Sequence, residues 1–336
     1  MLKFSEFMNR RIFKGMRLLC LPIILVFIYI PSRAVHIQHH RMSIDSLKTD
    51  SDSTDDTNDE SKSDHTRYID ISTEYGSNFT YRNQVGPTAV DAPYLYPSVL
   101  YHDKTGLWAS ISAYRLINPY KQIQIDGTVS SIAPTWIEGD LNVGWDFKLG
   151  KTNDATVSYL FSRFDRNIEL VKEAPENTFE GYFAHNFTWL YSGIRGDYTY
   201  ENFTGIIHGK RVNVPVADYY ASWETSKEWF IDAILTHKDY FDINPMFTLL
   251  AGTDNFIGKF IVARYPTSKL AAHYANIASE FLIQEFILDI PVAYNIGNFT
   301  ITPSFEYTVL TQKVTETAPT SYPIYRLALA YRFNFK

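Results

Sequence analysis

Large apolar residues alternate with small or polar ones along the last stretch of the chain. Tyr325, Leu327, Leu329, Tyr331, Phe333 and Phe335 share one parity, and Arg326, Ala328, Ala330, Arg332 and Asn334 share the other. That is the period of an extended strand with two unlike faces. The same period recurs upstream, where Leu141, Val143, Trp145, Phe147 and Leu149 alternate with Asn142, Gly144, Asp146 and Lys148. Asp146 and Lys148 would be foreign to the dry core of a β-sandwich. They are ordinary for a wall whose polar side is wet and whose apolar side meets lipid.

From Arg67 onward no segment keeps a helical period for long, and period-two segments predict strands at about 67–82, 93–103, 106–117, 137–149, 154–165, 177–190, 193–203, 226–238, 243–253, 280–294, 298–310 and 323–335. The connections alternate in length. Those at His102–Gly106, Gly150–Asn153, Tyr191–Ser192, Lys238–Ile243 and Asn295–Gly297 are short, and those over 83–92, 118–136, 166–176, 204–225, 254–279 and 311–322 are longer. Short turns on one side and long loops on the other are the rhythm of an antiparallel up-and-down transmembrane β-barrel, here an all-β fold of about 12 strands with both termini in the periplasm. Pro291 and Pro303 each remove a ladder donor, and a local bulge is expected to absorb them. In the long loop 254–279, Ser268 is placed to cap a helix over 269–277, behind the apolar run Phe256–Val262. That loop either packs on itself outside the membrane or folds into the barrel mouth.

Composition agrees with this picture. Tyr occurs 24 times and Phe 23 times against 16 Gly and 5 Met, as aromatic girdles at two membrane interfaces require. A mean hydropathy of -0.19 is too low for a helical membrane protein but suits strands whose second face is polar. Residues 1–34 read as a secretory signal peptide: Lys3, Arg10, Arg11, Lys14 and Arg17, then an apolar run from Leu18, then Ser32, Arg33 and Ala34. The run is shorter than the roughly 20 residues of a spanning helix, and Pro22 interrupts it. The single cysteine, Cys20, falls inside it. Residues 35–66, rich in Ser, Thr and Asp, are expected to form a disordered acidic periplasmic linker open to a periplasmic partner. His36, His39 and His40 have no spaced Cys or second ligand group beside them, so neither metal nor cofactor is expected. No basic patch interleaved with stacking residues points to nucleic acid.

Residues 67–336 resemble a Gram-negative outer-membrane β-barrel protein, on the strength of the terminal strand and the alternation of turn and loop. The resemblance implies the lipid bilayer as surroundings. It also implies a barrel-assembly machinery that reads a terminal signal, here carried by Tyr331, Phe333 and Phe335. In the family that signal ends on the aromatic itself, whereas Lys336 follows Phe335 here.

No Gly-rich phosphate loop, Cys/His metal pattern or Gly-x-Ser-x-Gly elbow occurs. The stretch His102–Gly106 lacks the serine of an outer-membrane phospholipase and reads as a hairpin turn. Asp232 with His237, or Asp218 with His208, could serve an outer-membrane protease only if the fold brought them together. An outer-membrane hydrolase therefore has no motif behind it, and the chain is read as no enzyme. Asp146, Lys148, Asp289, Glu306, Arg326 and Arg332 are the candidate lumen-facing residues, and Glu306 and Arg326 are expected to pair, either bracing the wall or forming a charged constriction. Their mixed sign predicts weak ion selectivity. A narrow channel or transporter for small solutes is the expected function. The alternative is a closed structural or binding barrel that engages a partner through its acidic tail or its loops.

Overall fold

The alternating segments pair edge to edge until the last meets the first. The computed structural model describes residues 67–80, 89–90, 92–123, 129–165, 176–207, 210–232, 239–255, 258, 275–311 and 321–335. The expected signal peptide 1–34 and acidic linker 35–66 lie outside the described residues.

In chain order the strands are β1 (Arg67–Gly76), β2 (Phe79–Thr80), β3 (Ala89–Val90), β4 (Tyr94–His102), β5 (Leu107–Leu116), β6 (Tyr120–Ile123), β7 (Val129–Ile132), β8 (Trp136–Lys148) and β9 (Asn153–Phe164). They continue as β10 (Asn177–Asn186), β11 (Tyr191–Ile207), β12 (Lys210–Ser226), β13 (Trp229–Asp232), β14 (Asp239–Ile243), β15 (Met246–Gly252), β16 (Leu282–Ile296), β17 (Phe299–Leu310) and β18 (Ser321–Phe335). Fourteen of them form one antiparallel sheet in which β1 pairs with both β4 and β18, and β16 with β17. Because β13 continues the line of β12 and β14 that of β15, both flanking β16, the sheet is a closed barrel of 12 staves. The hairpins β2–β3 and β6–β7 stand apart from the ring.

One end of the barrel carries the tight turns 103–106, 149–152, 187–190 and 297–298. Glycines with positive φ make three of them possible: Gly297 at 58°, Gly150 at 82°, and Gly106 at 86°, where a Cβ would also run into the Asp146 carbonyl. The other end carries the longer connections. One expected long loop is absent there. Residues 204–207 and 210–225 are strand, β11 and β12 pair from Tyr191 opposite Ser226 to Ile207 opposite Lys210, and the stave expected over 226–238 begins at Lys210. Since β10 reaches only Tyr200 and β15 only Tyr220, the rest of this hairpin stands beyond its neighbours as a two-stranded ribbon. Pro215 sits in that ribbon, opposite Asn202. A strand there is tolerable because, among the described residues, no second strand pairs with it to call on the missing donor.

The prolines of β16 and β17 are absorbed differently from expectation. The ladder keeps its register from Pro291–Ser304 to Tyr294–Ile301 and skips Val292 and Ala293 against Thr302 and Pro303. Bulges lie instead between β15 and β16, at Leu250/Ala251, and between β5 and β8, at Tyr114/Arg115. Of the helix expected over 269–277, residues 275–277 are helical, continuing to 278, and 269–274 lie outside the described residues.

The two faces are inverted relative to a water-soluble protein. Ile111, Trp145 and Leu141 are 66%, 52% and 47% exposed on the outside, whereas Asn142, Asp70 and Glu306 are 3%, 5% and 1% exposed on the inside. In water an apolar surface of this extent would drive association. Against lipid it is the stable outside of a membrane-spanning barrel. Inside, Gly76, Gly144 and Gly252 each lie beneath an aromatic ring of the paired strand, Tyr94, Trp108 and Tyr220. A side chain at any of the three would collide with that ring, so the rings lie along the wall rather than across the lumen.

Candidate functional site

The polar parity of the strands brings acid and arginine together in layers across the interior. Near the end where both described termini lie, Arg332 on β18 donates Nε and Nη2 to the two oxygens of Asp70 on β1, both at 2.9 Å. This is the parallel fork of a guanidinium–carboxylate pair. The same guanidinium sits 3.8 Å from the centre of the Tyr68 ring, which stacks flat on His102 at 5.0 Å. His102 in turn lies 3.6 Å from Asp146, which also accepts the Thr156 hydroxyl at 2.6 Å.

A second layer lies further along β18. Arg326 Nη2 reaches Glu306 on β17 at 2.8 Å and Asp289 on β16 at 2.9 Å, and its Nε donates to Ser304. The Arg326 and Glu306 side chains are each 1% exposed. Across the barrel, Arg195 on β11 repeats the arrangement with Glu224 on β12 at 3.3 Å and Glu180 on β10 at 3.8 Å. Between these groups Tyr94 donates to Glu74, and Ser162 and Ser112 donate to Asp140.

Of the sequence candidates, Asp289, Glu306, Arg326 and Arg332 are buried inside, with Asp146 half-buried beside His102. Lys148 shares their parity but stands exposed at the end of β8, next to the turn. Tyr331, Phe333 and Phe335 are exposed on the outer face. The Arg195 group was not anticipated. Its partner Glu224 fell in the stretch read as a loop, although the parity of Tyr220, Ser222 and Glu224 carried the signal. His208 and His237, the histidines considered with Asp218 and Asp232, lie outside the described residues. Asp218 accepts the Thr253 hydroxyl at 2.8 Å and the Asn255 amide, so the segment that follows β15 is anchored on an inward-facing carboxylate.

Among the described residues no group of three His, Cys, Asp or Glu side chains is arranged to hold a metal ion. What the layers supply is fixed charge and oriented hydroxyls along an enclosed axis. That can order and sort passing solutes without covalent chemistry.

No protein-family model and no curated protein matches the chain. Among solved structures it is similar to the NanC porin, at 11% identity over 78% of this chain and 98% of that one, with a TM-score of 0.41. It is also similar to LpxR from Salmonella typhimurium, at 6% identity over 78% and 99% with a TM-score of 0.42. An outer membrane channel from Pseudomonas putida F1 matches at 10% identity over 83% and 100%, with a TM-score of 0.38. Likeness at this level assigns no role. The chain's own closed, even-numbered, antiparallel ring, apolar outside and charged inside, has the architecture of an outer-membrane β-barrel.

Proposed function

We propose that the protein is a narrow outer-membrane channel for small solutes, with its tight turns and both chain ends in the periplasm. The observation that carries this reading is the stack of charged layers within a closed wall, Arg332 with Asp70 and Arg326 with Glu306 and Asp289. Charged side chains inside a closed wall are costly to bury, and in a membrane-spanning barrel a polar interior is what a water-filled path requires. In this reading Asp146, Asp289, Glu306, Arg326 and Arg332 line the path, with Lys148 at its periplasmic mouth. At the other end, Thr253 and Asn255 after β15 are held on Asp218. Twelve staves enclose less than a sixteen-strand porin, so the path is narrow.

Steady single-channel conductance of refolded protein in a planar bilayer is the expected result, larger when residues 256–276 are deleted. The near-complete burial of Arg326 and Glu306 supports a second reading, a closed barrel that presents loops or tail to a partner. Silence from both forms, in protein whose heat-modifiable migration proves it folded, would replace the channel with that second reading.

A further inference from the structure

We infer that the outer wall of the barrel, at the end away from the tight turns, holds the phosphate of a membrane lipid between Arg115 and Arg163. The inference rests on the orientation proposed above, which puts that end in the outer leaflet. Odd-numbered side chains on β8 face lipid, as Leu141, Val143 and Trp145 do, so by parity Trp136 would point into the lumen. It does not. Tyr114 pairs with Glu138 but Arg115 with Trp136, so β8 carries one residue more than β5 at this bulge. The extra residue turns Trp136 outward, where it is 51% exposed, and re-aiming a side chain is what a bulge does. There the Arg115 guanidinium lies 5.6 Å from the centre of the Trp136 ring. A ring contact takes up the face of a guanidinium and none of its five N–H donors. Among the described residues Arg115 has no ion pair.

Arg163 stands on β9 opposite Gly139 of β8, which in turn lies opposite Ala113 of β5. Its side chain is 75% exposed, and its one ion pair among the described residues, with Glu176, is stretched to 4.0 Å. So exposed a pair adds little and yields to a better anion. Between the two arginines the floor is low, because a Cβ on Gly139 would meet nothing within 4 Å. β5 and β9 are two strand spacings apart, about 10 Å, which two arginine side chains can close around one headgroup. Guanidinium forks match phosphate oxygens, and Trp favours the level where headgroups meet acyl chains. Ile111 and Leu141, paired with each other on β5 and β8 nearer the middle of the wall, are exposed and offer apolar surface to the chains. The site therefore fits an acylated, phosphate-bearing lipid. Free phosphate would gain nothing from that apolar surface.

The test is native mass spectrometry of the refolded protein, released from detergent micelles after equilibration with diphosphoryl lipid A or with the same lipid stripped of its phosphates. Wild-type protein is expected to retain the phosphorylated lipid about tenfold better, as charge-assisted contacts to phosphate imply. Arg115→Gln and Arg163→Gln together are expected to erase that preference. Gly139→Leu, which fills the floor and leaves every charge in place, is expected to lower retention of the phosphorylated lipid. Arg67→Gln, at the end with the tight turns, should change nothing. No preference in the wild type, a preference kept in the folded double variant, or an equal loss in R67Q overturns the inference. Orientation is read separately: Asn118→Cys, exposed just past β5, is expected to react with a membrane-impermeant maleimide on intact cells. No reaction, with the lipid preference intact, overturns the orientation and the leaflet while keeping the lipid site. A barrel that passes no current overturns the channel alone.

Discussion

Arg332 and Asp70 form a buried, two-pronged pair that tests how dry the interior is. Such a pair adds little over an apolar replacement of both partners, but removing one partner leaves a charge stranded. Asp70→Ala is therefore expected to cost about 3–5 kcal/mol in urea unfolding of the barrel in detergent. A loss below about 1 kcal/mol would mean that water reaches the guanidinium freely. Asp103 gives the contrasting case, in a tight turn outside the membrane-spanning strands. The Thr105 amide at 3.3 Å and then Arg67 Nε at 3.0 Å hold its carboxyl down at about 2, against an ordinary 3.8. A carboxyl depressed in the folded state contributes its stability above the unfolded value and loses it as pH falls through the folded one. The turn should therefore stay formed until the pH approaches about 2. Carbon-detected titration of Asp103 reads this directly, and Arg67→Ala should move its midpoint upward. A wild-type midpoint near the ordinary value would contradict the geometry. The Asp103–Gly106 turn was legible in the sequence because its chemistry is local, whereas the Asp70 pairing was not, since its partner lies 262 residues away.

At the scale of elements, the inward glycines set how β-strands accommodate large rings. At Gly144 a Cβ would strike the Trp108 ring and crowd Ser158, while at Gly181, on the outer face, it would meet nothing within 4 Å. Gly144→Val is expected to cost about 1–3 kcal/mol through forced displacement of Trp108. Gly181→Ala should leave the unfolding midpoint near wild type. Equal effects would show that backbone freedom, not the ring, is what Gly144 provides. The staves themselves were largely readable from alternation, with one displacement. Val212, Val214 and Val216 alternate with Arg211, Asn213 and Pro215, but the expectation of a long loop over 204–225 pointed the other way. What made β12 a strand is the full-length ladder of β11 beside it, a partner that a single segment cannot reveal.

For the whole molecule, closure joins the two ends of the described chain: Arg67 lies opposite Phe335 and Gly76 opposite Arg326. Phe335 thus sits at the seam as well as on the outer face. Replacing it with Asn should reduce surface-exposed, heat-modifiable protein in the membrane. Normal assembly of that variant would remove Phe335 from the signal proposed for the insertion machinery.

The alternation of residues by itself determined that the chain makes two-faced strands and which side of each meets lipid. These are properties of a single strand, because successive side chains point to opposite faces whatever the neighbours are. The tertiary structure alone decided which charges meet. Arg195 reaches Glu224 only because Gly193 pairs with Glu224, and Arg332 reaches Asp70 only because β18 closes on β1. Pairing depends on register and closure, and a slip of one residue would move every inward charge to the lipid face. Which carboxylates surround each arginine is a fact of packing that composition could not show.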